Sequence, residues 1–325
     1  MRSLVIMSLA VVLTGCSFNA KSAIDLGEQA IAGGTGALTD VANTLPLPDG
    51  LKSVEEEVEL SDEEKGYLSE LGGYISVTEG LENYTAHTTI NSVLTMSSEN
   101  YQCERNINIT SLHRTHGGLP QVKQITDEFN YVGKELVYST SWASYRSGNI
   151  VGAEYIGNTM KWEDNGNTAD IKYGVSAESL IDLTEATVQG VQKIVNGGNI
   201  SYKVHLREDG LTIKGGIIGL DNHPQDMPAD VSLCIVIDKS LGVVKEATLS
   251  LTTTSKNMMR TPNGRLHYYD TNNPEYKGLS KVSVMCEERT HTVYTDIGST
   301  DFGLPNLASY PIGTRDKFIN MLRKY

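Results

Sequence analysis

Cations are scarce in this chain: 27 lysines and arginines stand against 40 aspartates and glutamates, for a formal charge of −13. So acidic a polypeptide is repelled by phosphate backbones and anionic headgroups, which argues against nucleic acid as a partner. Phenylalanine (4) and tryptophan (2) are rare, and tyrosine (16) carries most of the aromatic content. Rings bearing a hydroxyl suit half-wet positions on broad sheets. A membrane-spanning helix needs about 20 consecutive apolar residues. The apolar run at the N-terminus, Leu4 to Leu13 broken by Ser8, has ten and is too short. There are four cysteines, none in a CxxC pair or at metal-ligand spacing from a histidine, so zinc and thiol-redox chemistry lack a framework.

Catalytic motifs are equally sparse. The sequence holds no GxSxG elbow, Walker loop, HExxH or EF-hand pattern. His87 and His205 fall on the polar faces of alternating runs and read as solvent-facing. His113-Arg114-Thr115-His116 has an HxxH spacing, but it lies at the end of a strand-like run, without the helix that gives such a spacing its geometry. His223 with Asp226, and His267 with Asp270, are ordinary loop pairs. Asp270-Thr271-Asn272-Asn273 starts like a calcium loop but lacks the glycine and the closing glutamate. We therefore assign no catalytic residue, no metal ligand and no cofactor from the sequence.

What is present begins at the N-terminus. Met1-Arg2, the short apolar run and Leu13-Thr14-Gly15-Cys16 have the layout of a secretory signal. The four junction residues resemble the lipobox of bacterial lipoprotein precursors. The resemblance covers the first sixteen residues and implies cleavage before Cys16, a diacylglyceryl thioether on that thiol, and a further acyl chain on its freed amine. Several chains together anchor stably where one would be marginal. Ser17, in place of the aspartate that retains such proteins in the inner membrane, implies the outer membrane of a Gram-negative cell. Loss of Arg2 with residues 1–15 moves the formal charge from −13 to −14.

Residues 16–60 read as a lipidated tether and acidic linker. Ile24, Ile31, Leu38 and Leu45 recur every seven residues, but Gly33, Gly34 and Gly36 each weaken a helix by about 1 kcal/mol, and Pro46 and Pro48 end it. The Glu55–Glu64 stretch forms an acidic collar. Residues 61–325 are expected to form a single domain. Ser61 to Glu64 has the form of a capping box, so a short helix should run from Asp62 to about Leu71 and stop at Gly72-Gly73.

Beyond Tyr84 the apolar period becomes two. Alternating runs occupy 84–96, 101–109, 156–162, 169–175, 200–206 and 211–217, with Asn165-Gly166 as a hairpin signal. Val231–Ile237 and Val243–Leu251 form another hairpin around Asp238–Gly242, and Val282–Tyr294 is the last long strand. Two further helices are expected. One is capped by Ser176, buries Leu180, Leu183, Val191, Ile194 and Val195, and closes at Gly197-Gly198. A terminal one is capped by Thr314 and buries Phe318, Met321, Leu322 and Tyr325. The fold class is α+β, with a large, mostly antiparallel curved sheet of about ten strands packed with a mid-chain helix and a C-terminal helix.

An exported chain meets an oxidising compartment, so three cysteines besides Cys16 suggest one disulfide and one leftover thiol. Cys234 with Cys286 is the favoured pair. If residues 231–294 form a simple meander, however, those strands stand about 9.6 Å apart, too far for a bridge; the bond then requires the last strand to pair on the other side of its hairpin, or else Cys103 is a partner. The stretch 255–278 lacks regular periodicity, is rich in tyrosine, and carries Lys256, Arg260, Arg265 and Lys277 against Asp270 and Glu275. Loops of that length in compact domains tend to be functional. Arg260, Arg265, Tyr268, Tyr269 and Tyr276 are the expected partner-binding residues.

Three function classes follow: a non-enzymatic structural or assembly lipoprotein docking on another envelope component, a half-barrel carrier of apolar ligands or lipids, and a hydrolase of envelope polymers. All three share the anchor. Changing Cys16 to Ala should leave an unprocessed precursor that takes up no labelled fatty acid, and label persisting on that variant would sink the lipidation reading.

Overall fold

The computed structural model describes residues 59–96, 101–157, 160–164, 175–207, 211–214, 228–260, 266–268, 274 and 278–313. Among the described residues one helix, α1 (Asp62–Glu79), precedes twelve strands: β1 (Tyr84–Met96), β2 (Tyr101–His116), β3 (Leu119–Val132), β4 (Glu135–Ser147), β5 (Ile150–Tyr155), β6 (Lys161–Asp164), β7 (Val188–Asn196), β8 (Asn199–Leu206), β9 (Pro228–Asp238), β10 (Val243–Arg260), β11 (Leu266–Tyr268) and β12 (Lys281–Thr295). Single 3-10 turns cover Ala177–Leu180 and Leu307–Ser309.

The sheet order is β6-β5-β4-β3-β2-β1-β12-β10-β9-β8-β7, with β11 added to β10. Every named strand pairing is antiparallel. The arrangement is two up-and-down meanders, β1–β6 and β7–β10, with β12 lying between β1 and β10 and hydrogen-bonding both. The sheet is open and curved, so it retains two edge strands, β6 and β7. Part of the β6 edge is occupied by the chain after β12, where Glu163 N–H donates to Pro311 C=O (3.0 Å) and Gly313 N–H donates to Glu163 C=O (3.1 Å).

Alternation along each strand divides the sheet into a helix-side face and an outer face. On the helix side, Val204, Leu233, Ile235, Leu249, Val284 and Cys286 are essentially unexposed and pack with Leu68 and Leu71 of α1. On the outer face of the other meander, Ala143 and Tyr145 pack beneath Leu307 and Tyr310 of the C-terminal segment. Gly152 lies at that contact because a Cβ there would fall 2.7 Å from Leu307 Cδ2.

The capping box forms as expected: Glu64 N–H donates to Ser61 Oγ (3.3 Å) and Ser61 N–H donates to Glu64 Oε2 (2.9 Å). The helix does not stop at Gly72-Gly73. It continues to Glu79, burying Leu71 and Thr78, and Thr78 Oγ1 accepts from Val244 N–H (2.8 Å). Two glycines cost about 2 kcal/mol of propensity, and the tertiary contacts of the last turns outweigh it.

The expected mid-chain helix is not present. Residues 177–180 make one 3-10 turn, and Val188–Asn196 is strand β7. A bulge between Val188 and Gly190 shifts the register, so Val188 and Val191 reach the same core at a separation of three and imitate a helical period. Gly197-Gly198 is the turn of the β7–β8 hairpin, with Gly197 at φ 57°. Leu211 and Ile213 are buried in the main core, but residues 211–214 form no strand. The Asn165-Gly166 turn, the 169–174 run and the expected C-terminal helix from Thr314 lie outside the described residues.

Leu71 sits between α1 and the sheet with no exposure. Leu71→Ala should lower unfolding stability by about 3 kcal/mol, the cost of an apolar cavity that the stiff sheet beneath cannot close. Denaturant unfolding measures it, and a loss under about 1 kcal/mol would show that the helix is loosely seated.

Candidate functional site

The expected partner-binding stretch begins as strand. β10 runs unbroken to Arg260, and β11 pairs with its last residues in the register Met258↔Tyr268, Met259↔His267 and Arg260↔Leu266. Met258 (3 % exposed) and Met259 (0 %) belong to the core and not to a contact surface. The backbones of Arg260 and Tyr268 are thereby placed at the end of a hairpin, while Arg265, Tyr269 and Tyr276 lie outside the described residues, as does Cys16.

Cys103, Cys234 and Cys286 are free thiols, so the expected Cys234–Cys286 bridge is corrected. The register gives the reason. Cys234 pairs across β9–β10 with Thr248, whereas Cys286 pairs across β12–β10 with Thr253. Those two partners are an odd number of residues apart on β10, so the thiols project from opposite faces, on strands separated by β10. Cys103 and Cys286 share a face, but each faces Leu94 from its own side. That spacing of two strands, about 9.6 Å, exceeds disulfide reach. Burial raises the thiol pKa of Cys103 and Cys234 above the ordinary value, which disfavours the thiolate in both.

The histidines differ from the solvent-facing expectation. His87 and His205 are half-buried on the outer face, and burial pushes both below the usual imidazole range. His291 is buried on the same face, with Nε2 3.8 Å from Glu246 Oε2. His113 lies within β2 on the helix side. Its ring stacks on Tyr84 (centroids 4.4 Å, planes 8° apart), and burial pushes it down to about 4.

His113 belongs to a buried titratable cluster at the end of the sheet where β1 starts and β12 finishes. Tyr84 opposes His113 across β1–β2, and Tyr84 lies 5.6 Å from Tyr294 of β12. Over these rings sits Glu178, on the 3-10 turn that replaced the expected helix. It is 5 % exposed, and its Oε1 accepts a hydrogen bond from the Tyr294 hydroxyl. Its Oε2 is buried without a hydrogen bond. The turn is pinned to the sheet by Thr292, whose Oγ1 accepts from Ala177 N–H (3.0 Å) and meets Thr88 Oγ1 at 2.9 Å.

Burial raises the Glu178 pKa, and the nearby Glu79 charge adds to it; the Tyr294 bond and Ser176 pull the other way without reversing the direction. Burial also pushes Tyr84 up to about 12, helped by the Glu178 charge. Tyr294 rises for the same two reasons. The carboxyl thus holds a proton more tightly in the fold than in water. The phenols of Tyr294 and Tyr84 lie beside it, and among the described residues no cation contributes to its pKa. Sequence reading passed over Glu178 because Ser176-Ala177-Glu178 looked like an ordinary helix start, and nothing local marks a glutamate that long-range packing will bury.

No cluster of three or more histidine, cysteine, aspartate or glutamate side chains suited to a metal occurs among the described residues. A shallow, open depression of about 280 Å³ lies on the other side of the sheet, bordered by Asn91, Asp230, Ser250, Thr252, Glu287 and Arg289.

No family model matches this chain, and no curated protein matches it. Among solved structures, a DUF1329 family protein from Desulfovibrio piger aligns over 76 % of this chain and 96 % of its own, at 9 % identity and a TM-score of 0.22.

The raised carboxyl fixes the sign of a pH effect. Between the ordinary glutamate pKa near 4.5 and its higher folded value, the native state binds more protons than the unfolded state, so stability falls as pH rises through that window. Glu178→Gln removes the titration while keeping the shape. Its melting temperature should exceed that of the parent at pH 8, and the difference should shrink toward pH 4.5. A difference that does not change with pH would show that the fold does not raise the Glu178 pKa.

Proposed function

We propose that this chain is a lipid-anchored envelope protein: acyl chains on Cys16 hold it in the outer membrane of a Gram-negative cell, and the folded domain docks on another envelope protein without catalysing a reaction. The anchor rests on the lipobox resemblance at Leu13–Cys16. The docking role rests on how the sheet carries the 255–278 segment.

β10, at 18 residues, is the longest strand. Its partner β9 ends where Pro228 meets Thr253, and β11 then takes up the vacated side at Met258–Arg260. On the other side β12 stays paired with β10 through Met259↔Lys281. The segment bearing Arg260, Arg265, Tyr268, Tyr269 and Tyr276 therefore grows from a strand paired on both sides and rooted by two buried methionines. The strand from which this tyrosine- and arginine-rich stretch departs is fixed on both sides, and a fixed base lowers the ordering cost of binding.

A specific observation favours docking over carriage. The apolar side of the β7–β10 meander is filled by α1: Leu71, Met96, Tyr202, Leu233 and Ile235 are all at most 1 % exposed. Side chains of the protein itself take the volume that a carrier would give to an acyl chain.

Replacing Arg265, Tyr268 and Tyr269 together with Ala should cut recovery of an envelope partner from detergent-solubilised outer membranes by about tenfold or more. The melting temperature should stay within a degree or two. A large fall in melting temperature would mean that the loop is part of the core, and the partner reading would be lost.

A further inference from the structure

Four of the eleven exposed large apolar side chains among the described residues lie at one end of the β7–β10 meander. The β7–β8 and β9–β10 turns lie side by side there, joined by Lys239 N–H donating to Gly198 C=O (2.9 Å) and by the pairing Asn199↔Asp238. The last turn of α1 arrives at the same place, where Thr78 accepts from Val244 N–H. From these three elements Val77 (53 % exposed), Val195 (56 %), Leu241 (56 %) and Ile194 (39 %) reach solvent. The Leu241 turn is set before any contact is made. Asp238 Oδ1 accepts from Ser240 N–H (2.8 Å), Ser240 Oγ–H (2.6 Å) and Leu241 N–H (3.2 Å), and Gly242 N–H donates to Asp238 C=O (2.8 Å).

Charge at this end departs from the rest of the molecule. Glu79, Glu82 and Asp238 stand against Lys239 and Lys245, and residues 194–199 carry no charge at all. A chain with a formal charge of −13 is therefore close to neutral where these apolar side chains protrude.

We infer that this tip, Val77, Val195 and Leu241, is a second, non-covalent contact with the lipid bilayer, in which the side chains enter the headgroup–acyl boundary. The inference rests on the anchoring reading above and deepens it. About 40 residues separate Cys16 from Glu59. A chain of that length spans roughly 35 Å even at flexible-coil dimensions. The 18 residues of α1 carry the backbone about 27 Å further, from the Glu64 end to the Val77 end. The anchor therefore reaches far enough to let this tip face the membrane.

A peptide strand added to β7 fits less well. In an antiparallel ladder alternate residues direct both backbone groups to one side. Val191 N–H faces outward and is already taken by Glu64 Oε1 (3.3 Å), which leaves Lys193 and Val195 before the turn. The apolar residues sit at turn and helix ends, as insertion into a surface requires, and not along the edge.

The test uses the mature-length chain, residues 16–325, with Cys16→Ala so that no acyl chain contributes. It should co-sediment with zwitterionic phosphatidylethanolamine–phosphatidylcholine vesicles, and Leu241→Asp or Val195→Asp should each lower the partition coefficient about tenfold. Near-UV circular dichroism should be unchanged, because both positions are exposed. Leu241→Trp should bind more tightly, with a blue-shifted emission on vesicle addition, and it reports even if an aspartate variant misfolds. Absence of vesicle binding by the Cys16→Ala chain, or binding indifferent to all three substitutions, overturns the inference. So does a concentration-dependent dimer abolished by the same changes, which would assign the tip to a second copy. Failure of the anchoring reading would look different: no fatty-acid label on the wild type, with vesicle binding by the tip intact.

Discussion

The fold depends on a strand that arrives late in the sequence. β12 hydrogen-bonds β1 from Thr85↔Thr295 to Thr95↔Met285, and β10 from Glu246↔Val293 to Met259↔Lys281, so it joins the two meanders into a single sheet. Its pairing with β1 closes a loop of roughly 200 residues, and contacts of that range are the slow ones to form. The same strand supplies Thr292, which ties the 177–180 turn to the sheet, and Tyr294, which bonds Glu178. Sheet continuity and the burial of the acid are thus consequences of one docking event.

An open sheet must also manage its edges. At β6 the returning C-terminal segment supplies backbone partners around Glu163. At β7 the device is a side chain. Glu64 closes the capping box of α1 and takes the outward N–H of Val191, and its bonds to Ser61 and Val191 outweigh the opposing effect of burial to hold its pKa below the ordinary value. A second tie lies further along, where Lys193 Nζ bonds Glu70 Oε2 (2.5 Å) and lies over the rings of Tyr67 and Tyr202. The helix therefore fills the apolar side of the meander and also holds its outer strand.

The places where sequence reading succeeded share a short range. Ser61 and Glu64 are three residues apart, and the alternation of Ile200–Leu206 appears as a strict half-buried pattern in β8. The failures share a long one. β7 was read as helix because a bulge shifted its period, and a bulge exists only relative to a partner strand. β3 and β4 went unassigned although Gly117-Gly118 and Gly133 mark tight hairpin turns at positive φ, a signal that was legible and missed. At the candidate site, His113 was noticed for its spacing to His116, whereas its stacking on Tyr84 depends on cross-strand register.

By itself the sequence determined the helix start at Ser61, the alternating strands of β1, β8, β9, β10 and β12, and the acidic charge, because each is written in composition or in residues fewer than about ten apart. It also carries the lipobox pattern, which is read by chemistry on a short segment and needs no fold. Only the tertiary structure decided that Cys234 and Cys286 face opposite ways, that Glu178 is buried beneath Tyr294, and that Val77, Val195 and Leu241 emerge at one end. Each of those outcomes is set by strand order and register, which are properties of pairing between segments up to 200 residues apart. No single segment contains the information that fixes them.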